Sequence, residues 1–278
     1  MLNVLIPLWL ALVLLSKPSP DNWKILAPGL EIINIKTKIK SVTGNSQITV
    51  IKINPEKWEL VFIGRSITND FFGKTAREWC ETHNLTAAIN AGMFQVDNFT
   101  HVGYLKFKDH INSSQANNYQ SVLALNPKNE SKQPLFRIFD LDDTDVTIKT
   151  ILKDYNSAVQ NLRLIKRPGI NVWSQQDRKW SESAIGEDNK GNILFIFSRF
   201  PFSMHDFNKE LLESGIGIVA AQHLEGGPEA QIFLKTGRFE LEQFGSFETD
   251  YIEDDSNINP WPIPNVLGIR PKQLLMTK

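Results

Sequence analysis

The stretch Ile218-Val-Ala-Ala-Gln-His-Leu-Glu-Gly-Gly-Pro-Glu-Ala-Gln-Ile-Phe-Leu234 decides how the rest of the chain is read. Residues 216–221 form an apolar run rich in β-branched side chains, the pattern of a buried strand. Residues 231–234 read as a second, shorter strand. Between them lies Glu225-Gly226-Gly227-Pro228-Glu229, where two glycines and a proline force a tight turn. A glycine pair lets backbone pass close to a ligand, because no Cβ stands in the way. The turn holds two carboxylates at its shoulders, a pattern suited to acid–base work or to binding a cation or sugar hydroxyls. The competing reading is a solvated hairpin carrying two surface acids.

Working outward, residues 193–197 (Ile-Leu-Phe-Ile-Phe) are the strongest central-strand candidate. Ser203 then caps a predicted helix over 204–212, with Phe207 and Leu211 on one face. Arg199 just before that helix, with His205 in its first turn, suggests an anion site at the helix start. Further strands are expected at 31–40, 47–53, 60–63, 85–89, 102–107, 121–125, 135–140 and 239–247, with a last edge strand at 266–269. A helix is expected over 75–84, capped by Thr75, with Trp79 and Cys80 facing inward. Asn90-Ala91-Gly92 at a strand end is either a structural turn or a ligand-orienting amide. Asp97 and His101 follow in a loop, where His101 reads equally as a surface residue or a ligand. The acidic run 140–145 lacks the glycine and terminal glutamate of a calcium loop, so no metal site is assigned.

The predicted fold class is α+β: a large mixed or antiparallel sheet with a few flanking helices, in one domain from residue 23 to 278. The chain has 278 residues and a net charge of −1, which excludes nucleic-acid binding by bulk electrostatics. Its single cysteine, Cys80, permits neither an intrachain disulfide nor a cysteine zinc site. Residues 2–15 carry no charge and are followed by a Pro-rich break. The first 22 residues therefore read as an export signal or membrane anchor, implying an exported protein with membrane association through the N-terminus.

Three stretches together resemble the phosphodiester glycosidase family. Asn90-Ala91-Gly92-Met93-Phe94 is similar to its Asn-Gly-Gly-Phe-Phe motif. The segment 160–164, with Ser183-Ala184-Ile185-Gly186 and the Asp188-x-x-Gly191 turn, resembles its middle block. His223-Leu224-Glu225-Gly226-Gly227 resembles its Asn-Leu-Asp-Gly-Gly block. The resemblance spans roughly residues 45–270. It implies hydrolysis of a sugar–phosphate diester at the anomeric carbon, without a cofactor. Glu225 takes the catalytic carboxylate role, with Glu229 the second candidate. Asn90, Gly92, Asp97, Asp188, Gly226 and Gly227 would contact or orient substrate. Arg163, Arg199, Ser203 and His205 would hold the phosphate. One departure is prominent: the family's Arg-Thr before Ala-Ile-Gly is Glu182-Ser183 here.

Overall fold

The computed structural model describes residues 22–44 and 46–272, so all but the last residue of the segment read as a signal or anchor lies outside the described residues. No helix among the described residues is long and apolar enough to cross a membrane.

The fold is α+β as expected: one large antiparallel sheet of eight strands, accompanied by two five-stranded antiparallel sheets and a few helices. The first contains, in chain order, β1 (Lys24–Ala27), β2 (Leu30–Lys36) and β3 (Gln47–Ile53). The second begins further on, because β4 (Trp58–Gly64) and β5 (Ala87–Asn90) belong to the third. It is built from β6 (Leu105–Phe107), β7 (His110–Ser113), β8 (Ser121–Pro127), β9 (Phe136–Asp140) and β10 (Tyr155–Asn161). The chain then returns to the first sheet with β11 (Arg163–Lys166), β12 (Ile170–Asn171), β13 (Trp180–Asp188), β14 (Ile193–Phe202) and β15 (Ile218–Gly226). It closes the third with β16 (Gln231–Thr236), β17 (Phe239–Phe244) and β18 (Asn265–Pro271). The first sheet has the order β1-β2-β3-β14-β13-β15-β11-β12, so β14 is internal as its apolar run requires. The third runs β17-β16-β5-β18-β4, which corrects the reading of β18 as an edge strand. All seven of its residues pair with β4, and four pair with β5 on its other side.

Side-chain alternation explains how the layers stack. Ile193, Phe195 and Phe197 of β14 enter one core, whereas Leu194 and Ile196 enter another. Strand β3 divides likewise, with Ile51 and Ile53 on the first face and Ile48 and Val50 on the second. The first face is covered by the other two sheets, through Leu123, Ile138, Phe233 and Leu267 among others. The second is covered by helix α4 (Met204–Glu213). Helix α1 (Arg65–Thr68) is a single turn, and α2 (Ala76–His83) carries a Thr75–Glu78 capping box with Trp79 and Cys80 buried, as expected. Helix α3 (Ile148–Asp154) covers the outer face of the second sheet. Helix α4 (Met204–Glu213) is capped by Ser203 and buries Met204, Phe207 and Leu211.

The organising stretch is thus not a hairpin. Strand β15 belongs to the first sheet and β16 to the third, and the Gly-Gly-Pro turn carries the chain between them. Its two glutamates therefore sit where two sheets meet.

Candidate active site

The site begins at one end of the β13–β15 ladder. Ser183 lies opposite Glu225 and Glu182 opposite Gly226, while Ala184 lies opposite His223. One extra residue, Leu224, is accommodated in β15 and sinks fully into the main core. Such a bulge re-aims its neighbours. Beyond it, residues 227–229 form one 3₁₀ turn with Pro228 near its start. Gly227 has φ +59°, and a Cβ there would lie 2.5 Å from Glu248 Oε2, so the position requires glycine.

Asn90, the last residue of β5, pins this turn. Its amide donates to the Glu229 carbonyl at 2.9 Å. Its Oδ1 accepts from the Gln231 N–H at 2.7 Å and the Ser183 hydroxyl at 3.0 Å. Of the two readings open for Asn90, the geometry is the structural one: it locks the turn between sheets. Gly92 follows with φ +147°, and its missing Cβ leaves room for the side chains of Asn161 and His101. The chain then enters Met93 and Phe94, which line the pocket. Gln160, fully buried, holds the opposite wall. Its Oε1 accepts from the N–H groups of Tyr104 and Asn117, and its Nε2 donates to the carbonyls of Asn117 and Tyr119.

The resulting pocket, about 430 Å³, is walled by Met93, Phe94, Tyr119 and Trp180 and carries His223, Glu225, Glu229 and Glu248. Glu182 lies behind it, its Oε1 2.6 Å from His223 Nδ1 and its Oε2 accepting from Trp180 Nε1 at 2.7 Å. Burial works against a charge on His223, but the Glu182 carboxylate outweighs it, with Glu225 and Glu248 adding to the upward shift. Burial pushes the Glu225 carboxyl up to about 8; the nearby Glu229 charge adds to this and His223 opposes it. Burial thus favours the protonated form of Glu225. Burial also raises Glu229, helped by Glu248, and raises Glu248 itself against the pull of Arg178 and His223. No group of three or more acidic, histidine or cysteine side chains among the described residues is arranged to hold a metal.

The pattern of the phosphodiester glycosidase family matches residues 83–270. This chain belongs to that family. No curated protein matches it. Among solved structures, the catalytic domain of zebrafish N-acetylglucosamine-1-phosphodiester alpha-N-acetylglucosaminidase, auto-inhibited by its pro-peptide, is similar in fold. The TM-score is 0.62 at 15% identity, covering 92% of this chain and 87% of that one. A hypothetical protein from Synechocystis matches with a TM-score of 0.50 at 13% identity, over 86% of this chain and 61% of that one. At these identities the likeness shows the fold.

Within this phosphodiester glycosidase fold, Glu225, Gly226, Gly227, Glu229 and Asn90 converge, with Gly92 beside them. The other candidates lie elsewhere. Arg163 pairs with Asp140 at 3.2 Å and Asp142 at 2.8 Å. Arg199 binds Asp255 at 2.6 Å and the carbonyls of Phe244 and Asn257, each at 2.7 Å, tying down the closing segment. Ser203 is spent on capping α4 and on Gln175, and His205 faces Asp206 at 3.1 Å. Asp188 accepts from Lys190 and Asn192 in the β13–β14 turn. Six residues of strand separate it from Glu182, roughly 20 Å. Asp97 closes a local turn onto Phe99 and Thr100. His101 lies outside the Glu225 pocket: it is buried and its ring bonds the Gln160 carbonyl at 2.8 Å. The sequence reading missed Trp180, Tyr119 and Glu248 as pocket residues. It also missed the Glu182–His223 pair, although both residues lay inside the quoted motifs.

Proposed function

We propose that this chain hydrolyses a glycosyl bond at the anomeric carbon of an envelope or extracellular glycan; in its family that carbon is joined to a phosphodiester. One observation carries the reading: two carboxyls, Glu225 and Glu229, line one aromatic-walled pocket, where burial favours the protonated form of Glu225. A protonated carboxyl is what a general acid needs, and enzymes obtain one by this kind of burial. Glu225 gives its proton to the departing oxygen as the C1–O bond breaks. Glu229, in its ionised form, takes a proton from water as the new C1–O bond forms, and the two protons exchange with solvent afterwards. Trp180 and Phe94 offer apolar faces to the sugar ring, the usual composition of a ligand cleft. The exported setting rests on the uncharged apolar residues 2–15.

The alternative is a non-catalytic envelope protein that grips glycan phosphate. It requires a cation in the cleft, and no lysine or arginine lines it among the described residues. The test is turnover of a panel of sugar-1-phosphodiesters and aryl glycosides by the wild type and by Glu225→Gln. Release of reducing sugar that disappears in the folded variant supports the hydrolase. Equal turnover in both removes Glu225 from the reaction.

A further inference from the structure

The pocket holds one basic group that the proposed reaction leaves without a task. His223 is 4% exposed and belongs to the lining, on the same strand as Glu225. Its Nδ1 lies 2.6 Å from Oε1 of Glu182, a carboxylate that is itself 2% exposed. Oε2 of Glu182 accepts from Trp180 Nε1 at 2.7 Å, so both carboxylate oxygens are engaged. A carboxylate only accepts, so Nδ1 carries the hydrogen and the orientation of the ring is fixed. Trp180 packs edge-on against the ring, with 6.4 Å between centroids. Nε2, on the far side of the ring, has no hydrogen-bond partner among the described residues and is not sealed from solvent, so it opens on the pocket. A buried imidazole held at one nitrogen by a carboxylate presents its other nitrogen to whatever enters the site.

What Nε2 presents depends on the charge of the ring. With Nδ1–H committed to Glu182, Nε2 bears a hydrogen only in the imidazolium. Burial opposes that charge, but the Glu182 carboxylate more than offsets it, and Glu225 and Glu248 act in the same direction. The imidazolium is then an N–H donor in a pocket with no lysine or arginine in its described lining. The Glu182–His223 pair is neutral as a whole, yet its two charges lie at different depths. An oxygen bonded to Nε2 would sit about 3 Å from the imidazolium and about 7 Å from the Glu182 carboxylate, so the nearer positive end dominates.

We propose that His223 holds the phosphodiester of the substrate, its Nε2–H donating to a non-bridging phosphoryl oxygen, and that Glu182 is the residue that positions it. The proposal rests on the hydrolase reading above. No proton leaves the ring. Glu225 protonates the bridging oxygen as the C1–O bond breaks, and the electron pair of that bond stays with the oxygen. The phosphomonoester departs with one negative charge, as the diester arrived. A charge-assisted hydrogen bond of this kind changes affinity by about ten- to hundredfold.

The experiment separates leaving group from sugar. Glucose, mannose, N-acetylglucosamine and N-acetylgalactosamine, both anomers, are presented as C1 methyl-phosphate diesters and as 4-nitrophenyl glycosides. Dimethyl phosphate, which keeps one negative charge throughout, is the binding probe. Wild type, His223→Asn and Glu182→Gln are compared from about pH 5.5 to about pH 8.5. His223→Asn should lower the diester-to-glycoside ratio of kcat/KM by about tenfold or more, mainly through KM, and weaken dimethyl phosphate alike. Wild-type binding of the probe should fall as the imidazolium loses its proton. In Glu182→Gln that fall should move to lower pH, a displacement that a merely structural contact does not produce. Glu225, Glu229, Glu248 and Tyr119 also titrate in this pocket, but both proteins carry them, so the displacement reports Glu182 acting on His223. Should His223→Asn fail to fold, that displacement is the reading, and its absence overturns the inference. Equal loss of diester and glycoside turnover in His223→Asn overturns the inference and leaves the hydrolase reading standing. His223-dependent binding of dimethyl phosphate without turnover of either substrate supports the contact and removes the hydrolase reading. Neither binding nor turnover overturns both.

Discussion

Replacing Glu225 with glutamine should flatten the pH dependence of folding stability. The side chain keeps its size and can still accept from the Gly226 N–H, now at 3.1 Å, but it cannot ionise. In the wild type, burial raises this carboxyl from 4.5 to about 8. A group raised in the folded state contributes stability that is fully present below its unfolded value and lost as pH climbs through the folded one. Between those limits the unfolded chain has released the proton and the folded chain has not, so stability falls with pH. At about 1.4 kcal/mol per pH unit over that interval, the ceiling is about 5 kcal/mol; structural relaxation and the partial exposure of Glu225 reduce this to about 2–4 kcal/mol. His223, Glu229, Glu248 and Tyr119 also face the pocket and titrate with shifted values, all upward. Subtracting the variant's profile from the wild type's isolates Glu225 to first order. The assay is urea unfolding followed by circular dichroism from about pH 5 to about pH 8.5. The variant should match the wild type at the acid end and exceed it by about 2–4 kcal/mol at the alkaline end. Over the same range, wild-type turnover should decline as pH passes about 8, where Glu225 loses its proton. Parallel stability profiles would mean that Glu225 ionises like an exposed glutamate, and the general-acid assignment would fall with it.

Gly227→Ala should lower stability by about 1–3 kcal/mol, read as a drop in Tm, because a Cβ would be held at positive φ against Glu248. Asn90→Leu strands the Gln231 N–H and the Glu229 carbonyl, costing about 2–4 kcal/mol in urea unfolding and releasing the turn that sets both glutamates. Arg199→Ala should destabilise the closing segment, detected as faster proteolysis near residue 257, while kcat/KM stays within about twofold because the guanidinium lies outside the pocket.

Much of the strand content was legible because strand identity is a local signal. Strand β3 was expected at 47–53 and occupies those residues, since its alternating β-branched side chains serve two cores. The capping of α2 and α4 was legible for the same reason, a side-chain oxygen reaching a backbone N–H three residues on. Sheet membership is not local. Residues 218–226 and 231–236 look like the arms of one hairpin, and nothing in their side chains says that they part into different sheets. What decides it is β5, whose Asn90 captures Gln231 from a distance of 141 residues in the chain. The final strand was misplaced at an edge by the same blindness: pairing with both β4 and β5 is a property of those strands as much as of β18.

The site divides along the same line. Glu225 and Glu229 could be placed on one turn because glycine and proline mark it, and both line the pocket. The arginines were expected in the site because cations suit phosphate, yet each has an acidic partner that the fold delivers from elsewhere: Asp140 to Arg163 and Asp255 to Arg199. A free arginine and an engaged one look alike in sequence. The Glu182–His223 pair is the converse case. Its members are 41 residues apart, and each alone reads as an ordinary polar residue within a strand. Only the β13–β15 register brings them together: His223 lies opposite Ala184, and Glu182, two residues along β13, shares that face because side chains alternate along a strand. The extra residue Leu224 lies beyond that contact and instead sets Glu225 and Gly226 against Ser183 and Glu182. A one-residue slip of β15 against β13 would turn His223 to the other face and leave Glu182 a buried carboxylate with no imidazole to meet.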